Sequence, residues 1–521
     1  MKNNFFLYST IIFLIVCSFA SAQNENSATN KPNIIFILAD DLAVNALSAY
    51  NPKLFNTPNI DRLANEGIKF NNCLVTNSIC APSRAVMLTG KYSHKNGLRD
   101  NRDVFNGDQQ TFPKLLQQAG YTTALIGKWH LKSAPQGFDY WNIAKGQGLY
   151  YNPIFIEMGD TTRRDGYITD LITDYVFDYI EDVDKEKPFC VLYHHKSPHR
   201  NWMPNLKDLA DMKTRPEPET LHDDYSGRVA AAEQDMEINN LYRSLDLKIH
   251  LQKGEVENSG GKASFDATGS WRATYNTLTP QQKKEWDEYY EPINKEFREA
   301  NFSDEELFKW KYQRYINDYL LCVKSIDDNI GRLFDYLDKN NLSENTMVIL
   351  SSDQGFFLGE HGWYDKRFMY EESIKIPMLI RYPKDVPANQ VNDKIILNLD
   401  FAPTLLDFAG IEIPTDMQGR SFKKLMLGKD IPNWRNSMYY HYYEYPHGWH
   451  DVKRHYGIRT ENFKLIHFYY DIDEWELFDL ESDPHEMNNL IDDPNYSDLI
   501  LKLKNELYYL QDYYGDNSVS R

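Results

Sequence analysis

The sequence is poor in cysteine and has only one long apolar run. Its 521 residues include five cysteines, too few and too scattered for a disulfide framework in a chain of this length. Beyond the N-terminal region, no segment approaches the length of a transmembrane helix. No group of histidines and cysteines has the spacing of a zinc site. We therefore expect no integral membrane segment in the mature chain and no zinc centre.

Basic residues are also fewer than acidic ones. The 57 lysines and arginines are outnumbered by 76 aspartates and glutamates, which gives a formal net charge of -19. Long-range repulsion therefore disfavours nucleic acid and anionic membranes as general partners, although cations gathered in one cleft can still bind an anion. Hydrophobic residues make up 42% of the chain, which excludes a largely disordered protein. The length favours a large α/β domain with a smaller second one.

The N-terminus has the pattern of an export signal. Lys2 precedes an apolar run over residues 5–19, and Ala20-Ser21-Ala22 supplies small residues at the usual cleavage spacing. We predict a signal peptide over residues 1–22 and an exported protein, periplasmic or secreted. A lipid anchor at Cys17 is the less favoured alternative, because Val16 is bulky for the position before a lipidated cysteine.

Four short apolar runs predict the centre of a β-sheet. They cover residues 34–38, 122–126, 189–193 and 347–350, and polar or charged residues follow each of them directly. Continuous apolar runs of this length are typical of strands buried on both faces, as in a mostly parallel sheet between helix layers. Ligands of such sheets bind at the carboxyl ends of the strands. We therefore expect the four polar strand ends to converge on one cleft.

The remaining patterns divide the chain. We predict a catalytic α/β domain over residues 31–432, with a charged helical insertion at about 204–311. Ser303 and Glu306 have the spacing of a capping box that opens a helix. From about residue 433 onward, short aromatic strand-like runs precede a helical segment. We expect residues 433–521 to form a smaller C-terminal subdomain of antiparallel sheet plus helix.

The strongest local motif begins at Cys80. It reads Cys80-Ala81-Pro82-Ser83-Arg84 and continues to Leu88-Thr89-Gly90. Proline suits a first helical turn and glycine suits a helix end, so the motif predicts a short helix with Cys80 near its positive N-terminus. Cys80 and Arg84 alone would also suit an ordinary cysteine at a helix cap.

The whole string, Cys-x-Pro-Ser-Arg followed by Leu-Thr-Gly, resembles the signature of type I sulfatases of the alkaline phosphatase superfamily. In that family the cysteine is oxidised to formylglycine (3-oxoalanine). The resemblance extends from Asn33 to about residue 490, with further motifs in the family's order. It implies a sulfuric ester hydrolase and, as a partner, a formylglycine-generating or sulfatase-maturating enzyme.

Two strand ends carry candidate metal ligands. Asp40 and Asp41 follow the first run, and Asp353 and Gln354 follow the last. Either pair alone is often a solvated turn or a helix cap, but together they supply the hard oxygen ligands that calcium or magnesium prefers. The sulfatase resemblance implies that these four residues hold calcium, with the formylglycine of Cys80 as a further ligand. The family often has asparagine at the position of Gln354, a chemically equivalent departure.

The resemblance also implies a catalytic set, which comprises Cys80, Arg84, Lys128, His130, His199 and Lys366. Arg84, Lys128, Lys366 and calcium would hold the non-bridging sulfate oxygens. The aldehyde would hydrate to a diol, and one hydroxyl would attack sulfur while His199 or Lys366 protonates the leaving alcohol. His130 would take the proton from the second hydroxyl, which releases sulfate and restores the aldehyde. A plain thiol or serine cannot release sulfate in this way.

The substrate class follows from the residues after Asp353. The block 353–377 resembles the glycan-desulfating branch, with glucosamine-6-sulfatases and iduronate-2-sulfatases as the nearest types. Our hypothesis is that His450, Arg454 and His455 contact an anionic sugar, so the predicted reaction is hydrolysis of sulfate esters on a sulfated saccharide. A phosphonate monoester or phosphodiester hydrolase of the same superfamily is the alternative. A non-catalytic carbohydrate-binding protein, suggested by 36 tyrosines and 10 tryptophans, is a more distant one.

Overall fold

A computed structural model describes residues 31–255, 257 and 266–519. The predicted signal peptide and Cys17 lie outside the described residues. Among the helices that the structure describes, none is long and apolar enough to cross a bilayer.

Nineteen strands are assigned in the described ranges. In chain order they are β1 (Asn33–Ala39), β2 (Ile68–Phe70), β3 (Cys73–Leu74), β4 (Thr122–Gly127), β5 (Tyr140–Ala144), β6 (Ile154–Glu157), β7 (Asp160–Arg163), β8 (Phe189–His194), β9 (Thr346–Ser352), β10 (Phe357–Leu358), β11 (Tyr364–Asp365), β12 (Lys375–Ile376), β13 (Met378–Arg381), β14 (Gln390–Asn392), β15 (Ile396–Leu397), β16 (Ser437–Tyr442), β17 (His455–Thr460), β18 (Phe463–Phe468) and β19 (Glu474–Asp479).

The α-helices of the same ranges are α1 (Pro58–Asn65), α2 (Cys80–Thr89), α3 (Ser93–Asn96), α4 (Phe112–Gln118), α5 (Ile168–Asp182), α6 (Val229–Glu233), α7 (Ala267–Asn276), α8 (Pro280–Glu299), α9 (Asp304–Lys339), α10 (Glu371–Ile374), α11 (Phe401–Phe408), α12 (Lys423–Met426) and α13 (Ser497–Tyr514).

A ten-stranded mixed sheet forms the centre of the molecule, in the order β14-β2-β13-β9-β1-β8-β4-β5-β6-β7. The four predicted runs are β1, β4, β8 and β9, which are adjacent and mutually parallel. This confirms the mostly parallel sheet. The sheet is mixed because β13 pairs antiparallel with β9, and β5, β6 and β7 continue the other edge as antiparallel pairs.

The two faces of the sheet bury separate cores, because successive side chains of a strand point to opposite sides. Ile35 and Ile37 of β1 belong to the core shared with α1, α5 and α9. Ile34, Phe36 and Leu38 belong to the core shared with α2, α4, α11 and the C-terminal strands. Both faces are therefore covered, which explains why these strands are apolar throughout.

The C-terminal part forms a second sheet. Strands β16 to β19 pair in sequence order as antiparallel neighbours, and α13 contacts β16, β17 and β18. The expected architecture is confirmed: a large α/β sheet with a smaller antiparallel sheet and a helix. The domain limits themselves remain predictions. The segment predicted as an insertion contains α6, α7 and α8, and the capping box of Ser303 and Glu306 opens α9 as expected.

Candidate active site

The carboxyl ends of the four central strands meet at one edge of the large sheet. Asp40 and Asp41 follow β1, and Asp353 and Gln354 follow β9. The backbone N–H of Asp41 donates to Asp353 Oδ1 at 3.1 Å, so residues 312 positions apart are in direct contact. Parallel pairing of β1 and β9 causes this proximity, because both strands run toward the same edge.

Cys80 is the first residue of α2, as the motif predicted. Ile79 precedes it with extended backbone, and Gly90 ends the helix in the left-handed region, with φ of 64°. The Cys80 side chain is buried, and burial raises the pKa of its thiol to about 12. The unmodified residue is therefore protonated at neutral pH and is a poor nucleophile.

Three buried carboxylates form a cluster beside Cys80. Ligand oxygens of Asp40, Asp41 and Asp353 all lie within 4.8 Å of one another. Burial and the neighbouring charge of Asp40 raise the pKa of Asp353 to about 7. Burial also raises the pKa of Asp41, whereas the pKa of Asp40 is well below its ordinary value because the positive charges of Lys128 and Arg84 outweigh its burial.

Each carboxylate has a cationic partner. Lys128 Nζ donates to Asp40, and Lys366 Nζ donates to both oxygens of Asp41 at 2.8 Å. The guanidinium of Arg84 donates through Nε to Asp353 Oδ2 at 2.9 Å and through Nη1 to the carbonyl of Lys128 at 3.0 Å. The predicted cations therefore lie among the predicted metal ligands.

The residues present fit a hard divalent cation. Asp40 Oδ1 and Gln354 Oε1 are buried and accept no hydrogen bond from any described residue. The Gln354 amide nitrogen contacts Asp41 Oδ1 and lies 3.8 Å from Cys80 Sγ, so this side chain joins the cluster to the nucleophile position. Three clustered carboxylates and an amide, with one carboxylate oxygen and the amide oxygen unsatisfied, are hard oxygen donors of the kind that calcium prefers.

The two predicted histidines lie on either side of this cluster. His199 Nε2 is 3.8 Å from Asp41 Oδ2, and its Nδ1 is 2.5 Å from the carbonyl of Arg200. His130 Nε2 lies 2.8 Å from the amide nitrogen of Gln147. Burial and the charge of Lys128 lower the pKa of both imidazoles well below the ordinary value, so both are neutral at pH 7.

A pocket of about 320 Å³ opens above Cys80. It is lined by Cys80, Asn101, Gln147, Gly148, Lys196, His199, Arg200, Asn201, Leu245, Ser270, Thr274, Asp365, Lys366, Arg367, Trp449 and His450. Cys80, His199, Lys366 and His450 were predicted site residues. Arg84 and Lys128 lie behind this wall, where they contact the carboxylates.

Asp365, Arg367 and His450 form a charged group on the pocket wall. Arg367 Nε donates to Asp365 Oδ1 at 3.0 Å, and His450 Nε2 lies 3.4 Å from Asp365 Oδ2. Although burial opposes ionisation, Lys366 and Arg367 hold the pKa of Asp365 well below its ordinary value. The pocket thus presents a carboxylate, a guanidinium and an imidazole, which suit the hydroxyls and charges of a sugar.

The structure separates the three residues that we expected to contact the sugar. His450 lines the pocket above Cys80. Arg454 lines a different pocket. His455 is fully buried between rings, with centroids 4.9 Å from that of Phe468 and 5.5 Å from that of Tyr440. It packs in the core of the C-terminal sheet and does not line the pocket above Cys80, and its contact with the sugar stays a prediction.

Several pocket residues were missed. Asp365 and Arg367 flank Lys366 in the motif, so their position in the sequence was an available signal. Lys196 lies two residues before the Pro198-His199 pair, and burial lowers the pKa of its amine to about 8. Ser270 and Thr274 are on α7, in the predicted insertion, and no motif singled them out.

Comparison with known proteins gives consistent matches. The family model described as Sulfatase matches residues 32–411, and the model described as N-sulphoglucosamine sulphohydrolase, C-terminal, matches residues 359–513. A Bacteroides thetaiotaomicron protein described as N-acetylglucosamine-6-O-sulfatase is 50% identical to this chain, over 99% of this chain and 92% of that protein.

Solved structures agree with the sequence matches. One, described as a complex with its substrate D-glucosamine-2-N,6-O-disulfate, has a TM-score of 0.89 and 50% identity, and covers 94% of this chain and 99% of its own. A phosphonate monoester hydrolase of Agrobacterium radiobacter has a TM-score of 0.65 over 93% of this chain and 96% of its own. At 17% identity, the second match shows a shared fold alone.

Proposed function

The chain belongs to the sulfatase family, and from that membership and the geometry of the pocket we propose that it removes the 6-O-sulfate of a glucosamine unit in a sulfated saccharide. The observation that carries the proposal is the position of Cys80, at the base of a polar pocket and beside a cluster of carboxylates and cations. The similar Bacteroides thetaiotaomicron protein, described as N-acetylglucosamine-6-O-sulfatase, supports this choice of sugar and position.

We propose that Cys80 is converted to formylglycine. Burial keeps the unmodified thiol protonated, so the cysteine itself is poorly suited to attack sulfur. The position of Cys80 at the start of α2 gives a nucleophile formed there the favourable N-terminal end of the helix. The conversion requires a maturating enzyme, which we propose as a partner of this chain.

We propose calcium as the cofactor, held by Asp40, Asp41, Asp353 and Gln354. Calcium would polarise groups bound to it and attract the sulfate oxygens. The charges of the described residues support this role. The three carboxylates are balanced by Lys128, Lys366 and Arg84, so a divalent cation makes the site net positive for an anionic ester.

The chain's own residues then have separate tasks. Lys366 and His199 line the pocket where the departing alcohol would lie, so both remain candidates for the group that protonates it. The neutral imidazole of His130 is suited to accept a proton, because burial and Lys128 keep it unprotonated. Asp365, Arg367 and His450 line the same pocket and provide acceptors and donors that would orient the sugar.

The test is sulfate release from a panel of defined sugars. Protein produced with a maturating enzyme should release sulfate from glucosamine-6-sulfate and N-acetylglucosamine-6-sulfate, as measured by ion chromatography. Iduronate-2-sulfate and galactosamine-4-sulfate should be poor substrates. Mass spectrometry of the peptide that carries residue 80 should show the aldehyde, and Cys80→Ser should be inactive. Full activity in protein with an unmodified thiol would refute the mechanism.

Two further arms complete the test. Turnover of phosphonate monoesters and phosphodiesters measures the alternative activity, and a kcat/KM on these esters above that on glucosamine-6-sulfate would replace our proposal.

We also propose export of the protein, on the basis of residues 1–22. Fractionation of the native host should place the protein in the periplasm or the medium, and recovery in the cytoplasm would contradict this.

A further inference from the structure

A second pocket lies beside the one above Cys80 and has no part in the proposed chemistry. It has a volume of about 480 Å³, within the usual range of roughly 300–1,000 Å³ for small-molecule sites. The side chains that define it are Arg99, Asp100, Asp103, Tyr443, Arg454 and Tyr469. Most of them come from the loop between α3 and α4 and from the segment between β16 and β17, and Tyr469 comes from the connection between β18 and β19.

Residues of the α3–α4 loop and of the β16–β17 segment also line the pocket above Cys80, so the two pockets are neighbours. Asp100 faces the second pocket, and its neighbour Asn101 faces the first. Asn101 Oδ1 accepts from the backbone N–H of Ala81 at 3.2 Å, next to Cys80. The Asn101 N–H donates to Glu444 Oε1 at 3.3 Å, which holds the two loops together.

The chemistry of the second pocket suits an anion carried on a ring. Arg99 is exposed and Arg454 is half-buried, and no carboxylate partner is recorded for either guanidinium among the described residues. The acidic residues are already engaged. Asp100 binds the guanidinium of Arg102 at 2.9 Å, and Asp103 Oδ2 accepts from the backbone N–H of Arg99 at 3.0 Å.

Two tyrosine rings give this pocket fixed walls. Tyr443 donates through its hydroxyl to buried Asp516 at 3.0 Å, and the Tyr469 hydroxyl lies 2.8 Å from His441 Nε2. Their polar ends are therefore held within the fold. Rings fixed in this way offer rigid flat surfaces to the apolar face of a sugar.

We propose that this second pocket binds the sugar unit next to the sulfated one, through a negatively charged group on that unit. The guanidiniums of Arg99 and Arg454 hold the charged group by charge-assisted hydrogen bonds, and the tyrosine rings contact the sugar face. The inference rests on the proposed function. It adds that the enzyme selects saccharides with an anionic neighbouring unit over isolated sugars.

Three substrates test the proposal: glucosamine-6-sulfate, its disaccharide with a uronic acid, and its disaccharide with a neutral hexose. In the wild type, kcat/KM for the uronate disaccharide should exceed that for the neutral one by roughly tenfold, the effect of one charged hydrogen bond. The double variant Arg99→Ala/Arg454→Ala should lose this preference. Arg454→Lys keeps the charge and should retain part of it. Arg164→Ala removes an exposed arginine far from both pockets and should leave the preference unchanged.

Equal kcat/KM on the two disaccharides in the wild type would overturn the inference, and so would a preference that survives in the double variant. Failure of the proposed function has a different signature, namely no sulfate release from any of the three sugars. In that case Cys80→Ser protein is titrated with the uronate disaccharide by calorimetry. Binding that the double variant loses supports the second pocket, and binding that it keeps refutes it. Unchanged thermal midpoints exclude misfolding of the variants.

Discussion

Replacement of Arg84 by alanine is the sharpest test of the electrostatic design of this site. Arg84 is buried, and its guanidinium contacts Asp353 at 2.9 Å and lies 3.5 Å from Asp40. The substitution leaves two buried carboxylates short of one positive charge. Removing one partner of a buried ion pair costs about 3–5 kcal/mol of unfolding free energy, because the remaining charge is uncompensated.

The size of this loss should depend on calcium. If the cation binds the same carboxylates, it neutralises them in place of the missing guanidinium. Arg84→Ala should therefore destabilise the protein by about 3–5 kcal/mol in chelator and by less in excess calcium. The unfolding entropy is about 2.1 cal/mol/K per residue. For a chain of 521 residues, a loss of this size corresponds to a fall of roughly 3–5 °C in the thermal midpoint.

The measurement is the thermal unfolding of wild type and variant by calorimetry, each in chelator and in calcium. The four values give the effect of the substitution with and without the cation. Arg435→Ala is the matched control, because it breaks a buried pair with Asp400, whose oxygens accept from both Arg435 Nη atoms, and neither residue lines the pocket or belongs to the carboxylate cluster. Its loss should be the same with and without calcium. An Arg84→Ala loss that is equally insensitive to calcium would refute our placement of the cation among these carboxylates.

Three further substitutions test other parts of the account. Gly127→Ala should lower the unfolding free energy by about 1–3 kcal/mol, because φ at this residue is 110° and an added Cβ would lie 1.8 Å from the carbonyl oxygen of His194. Urea titration measures the loss, and an unchanged urea midpoint would contradict this prediction. Glu476 has its pKa raised from 4.5 to about 8 by burial and by Glu474, so it takes up a proton on folding and stability should fall as pH rises from about 4.5 to about 8. Glu476→Gln should therefore make stability depend less on pH and should stabilise the protein at pH 8.5 by about 2–5 kcal/mol. The measurement is denaturation of both proteins at pH 5 and at pH 8.5. Curves of the variant that match those of the wild type at both values would refute this prediction. His450→Ala should lower kcat/KM on glucosamine-6-sulfate roughly tenfold and leave an aryl sulfate unaffected; equal losses on both substrates would remove His450 from sugar recognition.

Some features of the site were predictable because they depend on local sequence. The four apolar runs predicted adjacent parallel strands, since strands buried on both faces cannot tolerate polar side chains. The helix at Cys80 followed from Pro82 and Gly90, whose backbone preferences act within a few residues. Asp40 and Asp353 could be placed together because parallel neighbouring strands end at the same edge of a sheet.

The sequence alone could not place the individual side chains that we expected to contact the sugar. Arg454 lies just before β17, whereas His455 is the first residue of that strand. The sequence motif placed both against the sugar, yet Arg454 faces the second pocket and His455 faces the core. The pairing of β17 with β16 and β18 places His455 opposite Tyr442 and Phe468, and no property of the residue itself reveals this.

The sequence by itself determined which residue types the site contains: a cysteine at a helix start, four candidate oxygen ligands at strand ends, and lysines and histidines in motifs that resemble those of the family. Only the tertiary structure decided how these groups share their charges. Lys128, Lys366 and Arg84 each pair with a different carboxylate, and Asp365, Arg367 and His450 meet on one wall. The reason is physical. Residue types set what a side chain can bind, whereas burial, distance and strand register set which partner it reaches.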